Sequence, residues 1–322
     1  QDIVDSEGFP RFSAKQLTDW IYRKQICDFD LMSNLSLQQR IILKSKYTVS
    51  PNQFSQIAES VDGTKKYLFP IENSNSVEAV SIPDNERLTI CISSQAGCTL
   101  GCKFCQTGKM KFGKNLTSSE ILSQLTTLPD FEDITNIVFM GMGEPLLNFE
   151  NVKNTVEILT STWGFGMSKT RITLSTVGII PELEKFMENP FCELAISLHN
   201  PFHEERLKIM PIENKYPISE VINSLKKIDS GELKKISFEY IVFKNYNHSN
   251  EHVNQIAKLL NGLPAKINLM NYHKIEGLDY ESPSREEMEV FQQKLMQKGI
   301  TTTIRKSKGI DIAAACGLLS TL

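Results

Sequence analysis

The chain has 322 residues, of which 40% are hydrophobic and 23% are charged, and its net charge is −3. These values are ordinary for a soluble globular protein and allow one large domain with a smaller one. No stretch approaches the roughly 18 apolar residues that a membrane span requires, and no signal peptide is predicted. Seven cysteines in so long a chain do not indicate a secreted disulfide framework. We therefore expect a cytoplasmic protein with reduced thiols and no membrane partner.

The N-terminal part of the chain has a helical pattern from Lys15 to about Ala58. A hairpin is predicted next, with strands at residues 66–70 and 77–82 and a turn at 73–75. Residues 83–86 are interpreted as a boundary. The sequence thus predicts a helical domain over residues 1–60 and a hairpin or linker over residues 61–86.

Beyond this boundary, strands and helices alternate, which predicts parallel strands with right-handed crossovers. Strands are predicted at residues 88–93, 134–140, 171–175, 193–198, 236–243 and 266–270. Helices are predicted between and after them, at residues 118–128, 152–160, 181–187, 218–228, 251–260 and 284–298. Six such units over residues 87–300 could close a full or partial barrel. A last strand at 301–305 opens a C-terminal segment, residues 301–322.

Three cysteines follow the first of these strands at a spacing of three residues and then two, namely Cys98, Cys102 and Cys105. A [4Fe–4S] cluster held by three cysteines has one iron without a protein ligand. That iron can chelate the amino and carboxylate groups of S-adenosylmethionine, and an electron then yields a 5′-deoxyadenosyl radical. The alternative is a structural zinc site, which would need a fourth ligand such as Cys91.

Polar residues also follow the next three strands, where ligand sites gather in parallel α/β folds. Glu144, after Gly141 and Gly143, is a plausible seat for the methionyl amino group, although an ordinary glycine turn is the alternative. Ser175 and Ser197 could bind the carboxylate or the ribose, or they could cap strand ends.

Other candidates have structural alternatives of equal or greater weight. Cys316, in an Ala-Ala-Ala-Cys-Gly tail, could be a buried structural cysteine. Glu78 could be a surface residue or a base with a raised pKa. His248 and His252 lack a third zinc ligand. Cations that could hold phosphates or form a solvated face stand beside the cysteine loop and before Cys316, namely Lys103, Lys109, Lys111, Lys114, Arg305, Lys306 and Lys308.

Several motifs occur in one order: Cys-x3-Cys-x-Phe-Cys, Gly-Met-Gly-Glu-Pro-Leu, Leu-Ser-Thr, Ser-Leu-His and a C-terminal Ala-Cys-Gly. This set resembles the radical S-adenosylmethionine RNA methyltransferases that methylate adenine C2, the RlmN family. The resemblance covers nearly the whole chain and includes residues 14–17 and 20–22 near the N-terminus. The strongest part of the resemblance is residues 91–98, because this motif places Cys91 at a fixed spacing before the cysteine loop.

The resemblance implies a partial (β/α)6 barrel, an α/β fold, behind a small helical RNA-binding domain. The implied cofactors are a [4Fe–4S] cluster and S-adenosylmethionine, used twice per turnover. Cys98, Cys102 and Cys105 would hold the cluster. The implied S-adenosylmethionine site consists of Gly143, Glu144, Ser175, Ser197, Leu198 and His199. Cys316 would carry the methyl group, with Cys91 as its partner and Glu78 as proton acceptor. The implied partners are 23S rRNA, tRNA and an electron donor such as flavodoxin or ferredoxin, with the enzyme a monomer.

Two departures from the family pattern are visible. Where the family has an asparagine after the strand ending at Asn268 and Leu269, this chain has His273, which can also donate a hydrogen bond to the cofactor. In the tail, Ala313 replaces an aspartate and leaves Asp311 to anchor the loop that carries Cys316.

The resemblance also implies why two further cysteines are present. Adenine C2 is electron-poor and cannot attack a sulfonium methyl, whereas the Cys316 thiolate can. The radical then activates that methyl for addition to C2, which crosslinks protein and RNA. Attack by Cys91 on the Cys316 sulfur releases the product and leaves a disulfide.

Three alternatives remain open from the sequence. Methylation of adenine C8 would use the same cysteines, although Pro145 favours C2. A radical enzyme with a small-molecule substrate would not need the N-terminal domain or Cys316. A zinc-stabilised RNA-binding protein would have no catalysis.

Overall fold

The computed structural model describes residues 1–72, 75–227, 236–275 and 277–320. The strands are β1 (Gln56–Glu59), β2 (Lys65–Ile71), β3 (Asn75–Asp84), β4 (Arg87–Cys91), β5 (Gln95–Ala96), β6 (Lys114–Asn115), β7 (Asn136–Phe139), β8 (Ile172–Thr176), β9 (Glu193–Ser197), β10 (Ile236–Val242), β11 (Ala265–Asn271) and β12 (Thr301–Ile304). The α-helices are α1 (Asp2–Ser6), α2 (Phe12–Thr18), α3 (Leu37–Lys46), α4 (Ser118–Thr126), α5 (Phe149–Thr160), α6 (Ile180–Glu188), α7 (His203–Ile209), α8 (Ile218–Lys227), α9 (Asn250–Leu260) and α10 (Arg285–Gln297). The predicted turn residues 73 and 74 and the predicted helix end at 228 lie outside the described residues.

One sheet of ten strands forms the body of the molecule, in the order β1-β2-β3-β4-β7-β8-β9-β10-β11-β12. From β4 to β12 every neighbouring pair is parallel, and helices α4 to α10 lie in the six crossovers. Within the described residues the outer strands β1 and β12 do not pair with each other, so the barrel is incomplete. The predicted partial barrel of six βα units is confirmed, and α7 is an additional helix that the sequence analysis missed.

Apolar residues explain why these segments form strands and covering helices. All seven positions of β10 are buried, as expected where a parallel strand is covered on both faces. Helix α9 buries Val253, Ile256 and Leu260 at helical spacing against the sheet. Helix α10 begins with a capping box in which Ser284 and Glu287 satisfy each other's backbone amides. The parallel strands therefore lie inside and the helices outside.

The first 46 residues fold as helices around a small separate core. Helix α2 continues into a π-helical turn at Asp19–Arg23, and a 3-10 turn at Phe29–Leu31 precedes α3. The predicted helical pattern is wrong for Gln56–Glu59, which is strand β1. Its residues pair antiparallel with β2, and this sheet contact outweighs a weak local helix preference.

The predicted hairpin is confirmed as β2 and β3, but it is not separate from the barrel. β3 pairs antiparallel with β4, so β1 to β3 extend the barrel sheet at one edge. We call these three strands the antiparallel extension. The predicted boundary at residues 83–86 is instead a tight turn between β3 and β4, in which Asn85 takes a positive φ of 53°.

The carboxyl ends of the parallel strands share one edge of the sheet, so the predicted polar residues meet there. No helix in the described part of the chain combines the length and apolar character needed to cross a membrane.

Candidate active site

The three-cysteine loop follows the short strand β5 and folds tightly over the strand ends. The Cys105 amide donates to the Cys102 carbonyl at 3.1 Å, and the Gly108 amide donates to Cys105 at 3.1 Å. A Cβ at Gly108 would lie 2.8 Å from the Cys102 carbonyl oxygen, so the close turn requires glycine. The turn directs three thiols of one short segment toward the same cavity.

A cavity of about 150 Å³ lies at the strand ends and brings most of the predicted site together. Its lining includes nine predicted residues, Cys98, Cys102, Cys105, Gly143, Glu144, Ser175, Ser197, His199 and Cys316. Four predicted residues are not in this lining, namely Cys91, Glu78, Leu198 and His273. The cysteines at 98–105 and the cysteine at 316, far apart in sequence, thus share one cavity.

The thiol set fits an iron–sulfur cluster. Burial raises the pKa of all three loop thiols, that of Cys98 to about 12, and a bound metal would remove their protons. Among the described residues no three His, Cys, Asp or Glu side chains converge to hold a single metal ion. In a [4Fe–4S] cluster each cysteine binds a different iron, so three thiols spread around a cavity are the suitable arrangement.

Glu144 is the ionisable group that follows β7 and lines the cavity. Gly143 has a φ of 95°, and a Cβ there would lie 2.5 Å from Gln95, so the turn needs glycine. The Glu144 carboxylate accepts hydrogen bonds from the amides of Leu146 (3.1 Å) and Val177 (3.0 Å). Burial nevertheless raises its pKa to about 7. A ligand ammonium group would favour the charged carboxylate here.

His199 enters the cavity as a neutral ring of fixed tautomer. Its Nδ1 accepts the Ile241 amide at 3.0 Å, which leaves the proton on Nε2. Burial and the nearby Arg206 lower its pKa to about 3. Its neighbour Leu198 is fully buried, with its amide bonded to Glu239 and its carbonyl to Arg206. The Leu198 side chain therefore packs in the core and does not face the cavity.

Cys316 and Cys91 lie close enough for their charges to interact. Cys316 is exposed into the cavity, yet the protein around its sulfur desolvates the thiol and raises its pKa, while Arg305 lowers it. Cys91 ends β4 and is buried, so desolvation and then the Cys316 charge raise its pKa. All seven cysteines are free thiols, so the disulfide implied by the resemblance is not formed in this structure.

Two predicted residues have partners outside the cavity. Glu78 is buried, pairs with Lys66 Nζ at 2.9 Å and accepts the Ser320 amide at 3.0 Å. His273 is half-buried and shares a hydrogen bond of 2.8 Å with Ser307. The structure thus places both beside the C-terminal segment.

The C-terminal segment is held by the turn between β1 and β2. Ser60 Oγ donates to Asp311 at 2.6 Å, and the Val61 amide donates to the other Asp311 oxygen at 3.2 Å. The Gly309 amide donates to Asp62 at 3.0 Å. We call these contacts the tail clasp. Asp311 anchors the loop as expected, and Asp62 supplies a second carboxylate.

Sequence reasoning missed two charged residues around the cavity. Glu239 lines it from the middle of β10, and the signal was a single carboxylate within a mostly apolar run. Arg206 is fully buried, forms an ion pair with Glu213 and donates to the Ser197 carbonyl at 2.8 Å. It holds the end of β9 in place.

Family models match both parts of the chain. The model of the radical SAM superfamily matches residues 92–260. The model of the ribosomal RNA large subunit methyltransferase N-terminal domain matches residues 1–49.

Individual proteins match over almost the full length. A "Probable dual-specificity RNA methyltransferase RlmN" from Bacteroides fragilis is 46% identical over 100% of this chain and 93% of its own. The "Dual-specificity RNA methyltransferase RlmN" of Marinobacter nauticus is 41% identical over 98% and 89%. The crystal structure of a radical SAM methyltransferase from Sphaerobacter thermophilus superposes with a TM-score of 0.91 at 34% identity, covering 100% of this chain and 96% of that one.

Proposed function

Since the chain belongs to the RlmN family of radical S-adenosylmethionine methyltransferases, we propose that it methylates C2 of adenosine in RNA. The substrates are 23S rRNA, in its peptidyl-transferase region, and tRNA, at the adenosine 3′ of the anticodon. The observation that carries this proposal is that Cys316 shares a cavity with the three loop cysteines, while Cys91 is close enough to Cys316 for their charges to interact.

The cofactors of this family are a [4Fe–4S] cluster and S-adenosylmethionine, which together supply a 5′-deoxyadenosyl radical. In our proposal Cys98, Cys102 and Cys105 hold the cluster. Glu144 binds the methionyl ammonium group, since burial without a cation raises its pKa. Ser175, Ser197 and the Nε2 proton of His199 supply hydrogen bonds in the same cavity. Leu198 supports this wall from the core. His273 contributes to S-adenosylmethionine binding only if its ring turns away from Ser307, with which it shares a hydrogen bond.

The two remaining cysteines divide the methyl transfer between them. Cys316 takes the methyl group as a thiolate, because adenine C2 is too electron-poor to attack a sulfonium carbon. Its exposure into the cavity gives it access to both cofactor and base. Cys91 then attacks the Cys316 sulfur, which frees the methylated base and leaves a disulfide for reduction.

Glu78 takes the proton that leaves C2. Its carboxylate is paired with Lys66 and with the Ser320 amide of the C-terminal segment. Because Ser320 lies four residues after Cys316, a shift of this segment would uncover Glu78 while it repositions the methyl carrier.

The remaining assignments are also part of this proposal. Residues 1–60 provide an RNA-binding domain, and residues 61–86 connect it to the catalytic barrel of residues 87–300. Residues 301–322 carry the methyl-accepting cysteine. A flavodoxin or ferredoxin supplies electrons, and the enzyme acts as a monomer in the cytoplasm.

Single cysteine variants test the mechanism in reconstituted enzyme with S-adenosylmethionine, reductant and labelled RNA. Cys316→Ala should give neither methylated product nor crosslink, because nothing accepts the methyl group. Cys91→Ala should accumulate protein covalently joined to RNA, because no thiolate opens the adduct. Denaturing gels measure both outcomes, and the double variant should resemble Cys316→Ala.

The matched control is Cys27→Ala, which removes a half-buried cysteine of the N-terminal helical region. This variant should retain wild-type turnover. A crosslink that survives Cys316→Ala, or normal turnover of Cys91→Ala, would contradict the proposed mechanism.

A further inference from the structure

A row of polar side chains crosses the last four strands of the barrel. Ser197, Glu239, Asn268 and Thr303 occupy adjacent register positions on β9, β10, β11 and β12. We call them the polar row. Its two middle members, Glu239 and Asn268, are buried, and buried polar groups are costly unless they are hydrogen-bonded. Its partners therefore indicate what it is built to hold.

Hydrogen bonds fix the orientation of this row. Thr303 Oγ1 donates to Asn268 Oδ1 at 2.7 Å, so the amide nitrogen of Asn268 faces the other way. That nitrogen donates to Glu239 Oε1 at 2.7 Å. Arg305 Nη2 lies 3.7 Å from the same oxygen. Ser237 Oγ also donates to it at 3.4 Å, so all of these contacts are made to Oε1 of the Glu239 carboxylate.

The second carboxylate oxygen, Oε2 of Glu239, is buried and has no hydrogen-bond partner among the described residues. Glu239 is 2% exposed and lines the cavity. A buried oxygen of this kind destabilises the protein if it stays unpaired, and more so when it is charged. A ligand that donates a hydrogen bond to Oε2 would remove that destabilisation.

The position of Glu239 in the strand order indicates which part of a ligand it would meet. The cluster loop precedes β7, and Glu144 follows β7 close enough to influence the thiols of Cys98 and Cys102. Glu239 lies on β10, three strands further along the sheet. A ligand whose amino acid end is held at the cluster would extend its nucleoside end toward β9 and β10.

We propose that Glu239 is a binding residue for S-adenosylmethionine whose Oε2 accepts a hydrogen bond from a ribose hydroxyl. The inference rests on the proposed function, because it requires S-adenosylmethionine in this cavity. A carboxylate accepts but does not donate, and a ribose offers two hydroxyl donors side by side. Asn268 and Thr303 position Glu239 and do not touch the ligand.

The test measures binding to the cluster-loaded protein without reductant or RNA, so that no turnover is required. Affinities for S-adenosylmethionine and for its 2′-deoxy and 3′-deoxy analogues are compared in wild type and Glu239→Ala. The analogue that lacks the hydroxyl bound by Glu239 should bind wild type about tenfold more weakly than S-adenosylmethionine does. Without that hydroxyl, Oε2 has no hydrogen-bond partner in the complex. Glu239→Ala should bind S-adenosylmethionine about as weakly as that analogue and no longer distinguish the two.

A matched control is Glu193→Ala, which removes a carboxylate at the opposite end of β9 and should leave all affinities unchanged. Iron content and thermal melting check that each variant is folded. If Glu239→Ala misfolds, the analogue series on wild type alone still decides whether a hydroxyl is recognised.

Each remaining outcome is decisive. Equal affinity of wild type for all three ligands would overturn the assignment, as would a Glu239→Ala variant that still discriminates between S-adenosylmethionine and the weaker analogue. Unchanged S-adenosylmethionine affinity of Glu239→Ala would also overturn it. A separate titration of that variant with labelled RNA, if weaker than wild type, would then show that the hydroxyl belongs to the RNA. Failure of wild type to bind S-adenosylmethionine would instead contradict the proposed function.

Discussion

Arg305 is a cation whose charge acts on both thiols that handle the methyl group. Its Nη2 lies 3.7 Å from Glu239, and its Nη1 approaches the Met140 sulfur at 4.0 Å. Desolvation raises the pKa of Cys316 and of Cys91, and the charge of Arg305 lowers both. Because the thiolate is the nucleophile, Arg305 should increase the reactive fraction of each cysteine.

Replacing Arg305 by Met should therefore slow alkylation of Cys316 by iodoacetamide several-fold at about pH 8. The sign follows from the loss of a nearby cation, which raises the thiol pKa and lowers the thiolate fraction below that pKa. Arg305→Lys keeps the charge and should retain most of the rate. Peptide mass spectrometry of the cluster-loaded enzyme, without S-adenosylmethionine, measures the time course of alkylation.

Cys27 is the internal control, because burial alone raises its pKa and Arg305 does not contribute. Its alkylation rate should be the same in all variants. Equal rates at Cys316 in wild type and Arg305→Met would contradict this electrostatic role.

Single residues of the site were predictable where neighbours in sequence are neighbours in space. The cysteines at 98, 102 and 105 lie in one turn, so their spacing predicts a shared cavity. Glu239 meets Ser197 and Asn268 only through strand register, which no local pattern encodes. Of the two partners of Glu78, Lys66 lies diagonally across the β2–β3 hairpin, whereas Ser320 is brought there only by packing of the tail.

The antiparallel extension lies where it can hold the C-terminal segment, which explains why it accompanies a parallel barrel. Its β1–β2 turn holds the C-terminal segment through the tail clasp. Burial opposes ionisation of Asp62, but hydrogen bonds from Thr64, Gly309 and Ser60 outweigh it and hold its pKa at about 2. The charged form of Asp62 therefore persists at neutral pH, and protonation weakens the clasp only as pH falls toward that value.

Asp62→Ala should loosen the loop that carries Cys316. Hydrogen exchange of the peptide covering residues 309–316 should accelerate by roughly tenfold at neutral pH, since a charge-assisted hydrogen bond to the Gly309 amide is lost. Loading of Cys316 with methyl should slow in parallel. Exchange mass spectrometry and intact-mass measurement give the two rates.

Asp84→Ala is the matched control, because Asp84 is an exposed carboxylate at the other end of the extension, where β3 meets β4. It should leave exchange in the tail unchanged. Equal protection of residues 309–316 in wild type and Asp62→Ala would show that the clasp does not hold the loop.

Secondary structure was predictable to the extent that each element carries its own pattern. The six βα units follow from apolar runs and helical periodicity, and observed boundaries differ from the predicted ones by a few residues. β1 was missed because its sequence, Gln-Ile-Ala-Glu, carries no strand alternation and is stabilised by pairing with β2. The turn at Asn85 was interpreted as a boundary because turn and linker residues have similar compositions.

The whole molecule has a net charge of −3, yet its cavity edge carries exposed lysines. Lys103 lies within the cysteine loop, and Lys306 follows β12 at the same edge of the sheet. Lys114, which the sequence also suggested, is already paired with Glu72 and Glu120. We therefore expect phosphate contacts at the cavity edge from Lys103 and Lys306 in particular.

The variant Lys103→Ala/Lys306→Ala should bind substrate RNA more weakly and with a smaller dependence on salt. Each phosphate contact releases condensed counterions, so two lost contacts should reduce the slope of log affinity against log salt by between about 1 and 2. Fluorescence anisotropy with a labelled RNA hairpin between about 50 and 200 mM salt measures the slope. Binding of S-adenosylmethionine should not change.

The comparison that isolates position from charge is Lys258→Ala. Lys258 is exposed in the last turn of α9, near the start of β11 and hence at the opposite edge of the sheet. Its removal changes the net charge by one unit without touching the cavity edge, so the slope should stay at the wild-type value. The double variant removes two charges and Lys258→Ala removes one. If Lys258→Ala lowered the slope by half as much as the double variant does, RNA attraction would depend on the overall charge of the protein. The cavity edge would then not be the binding surface.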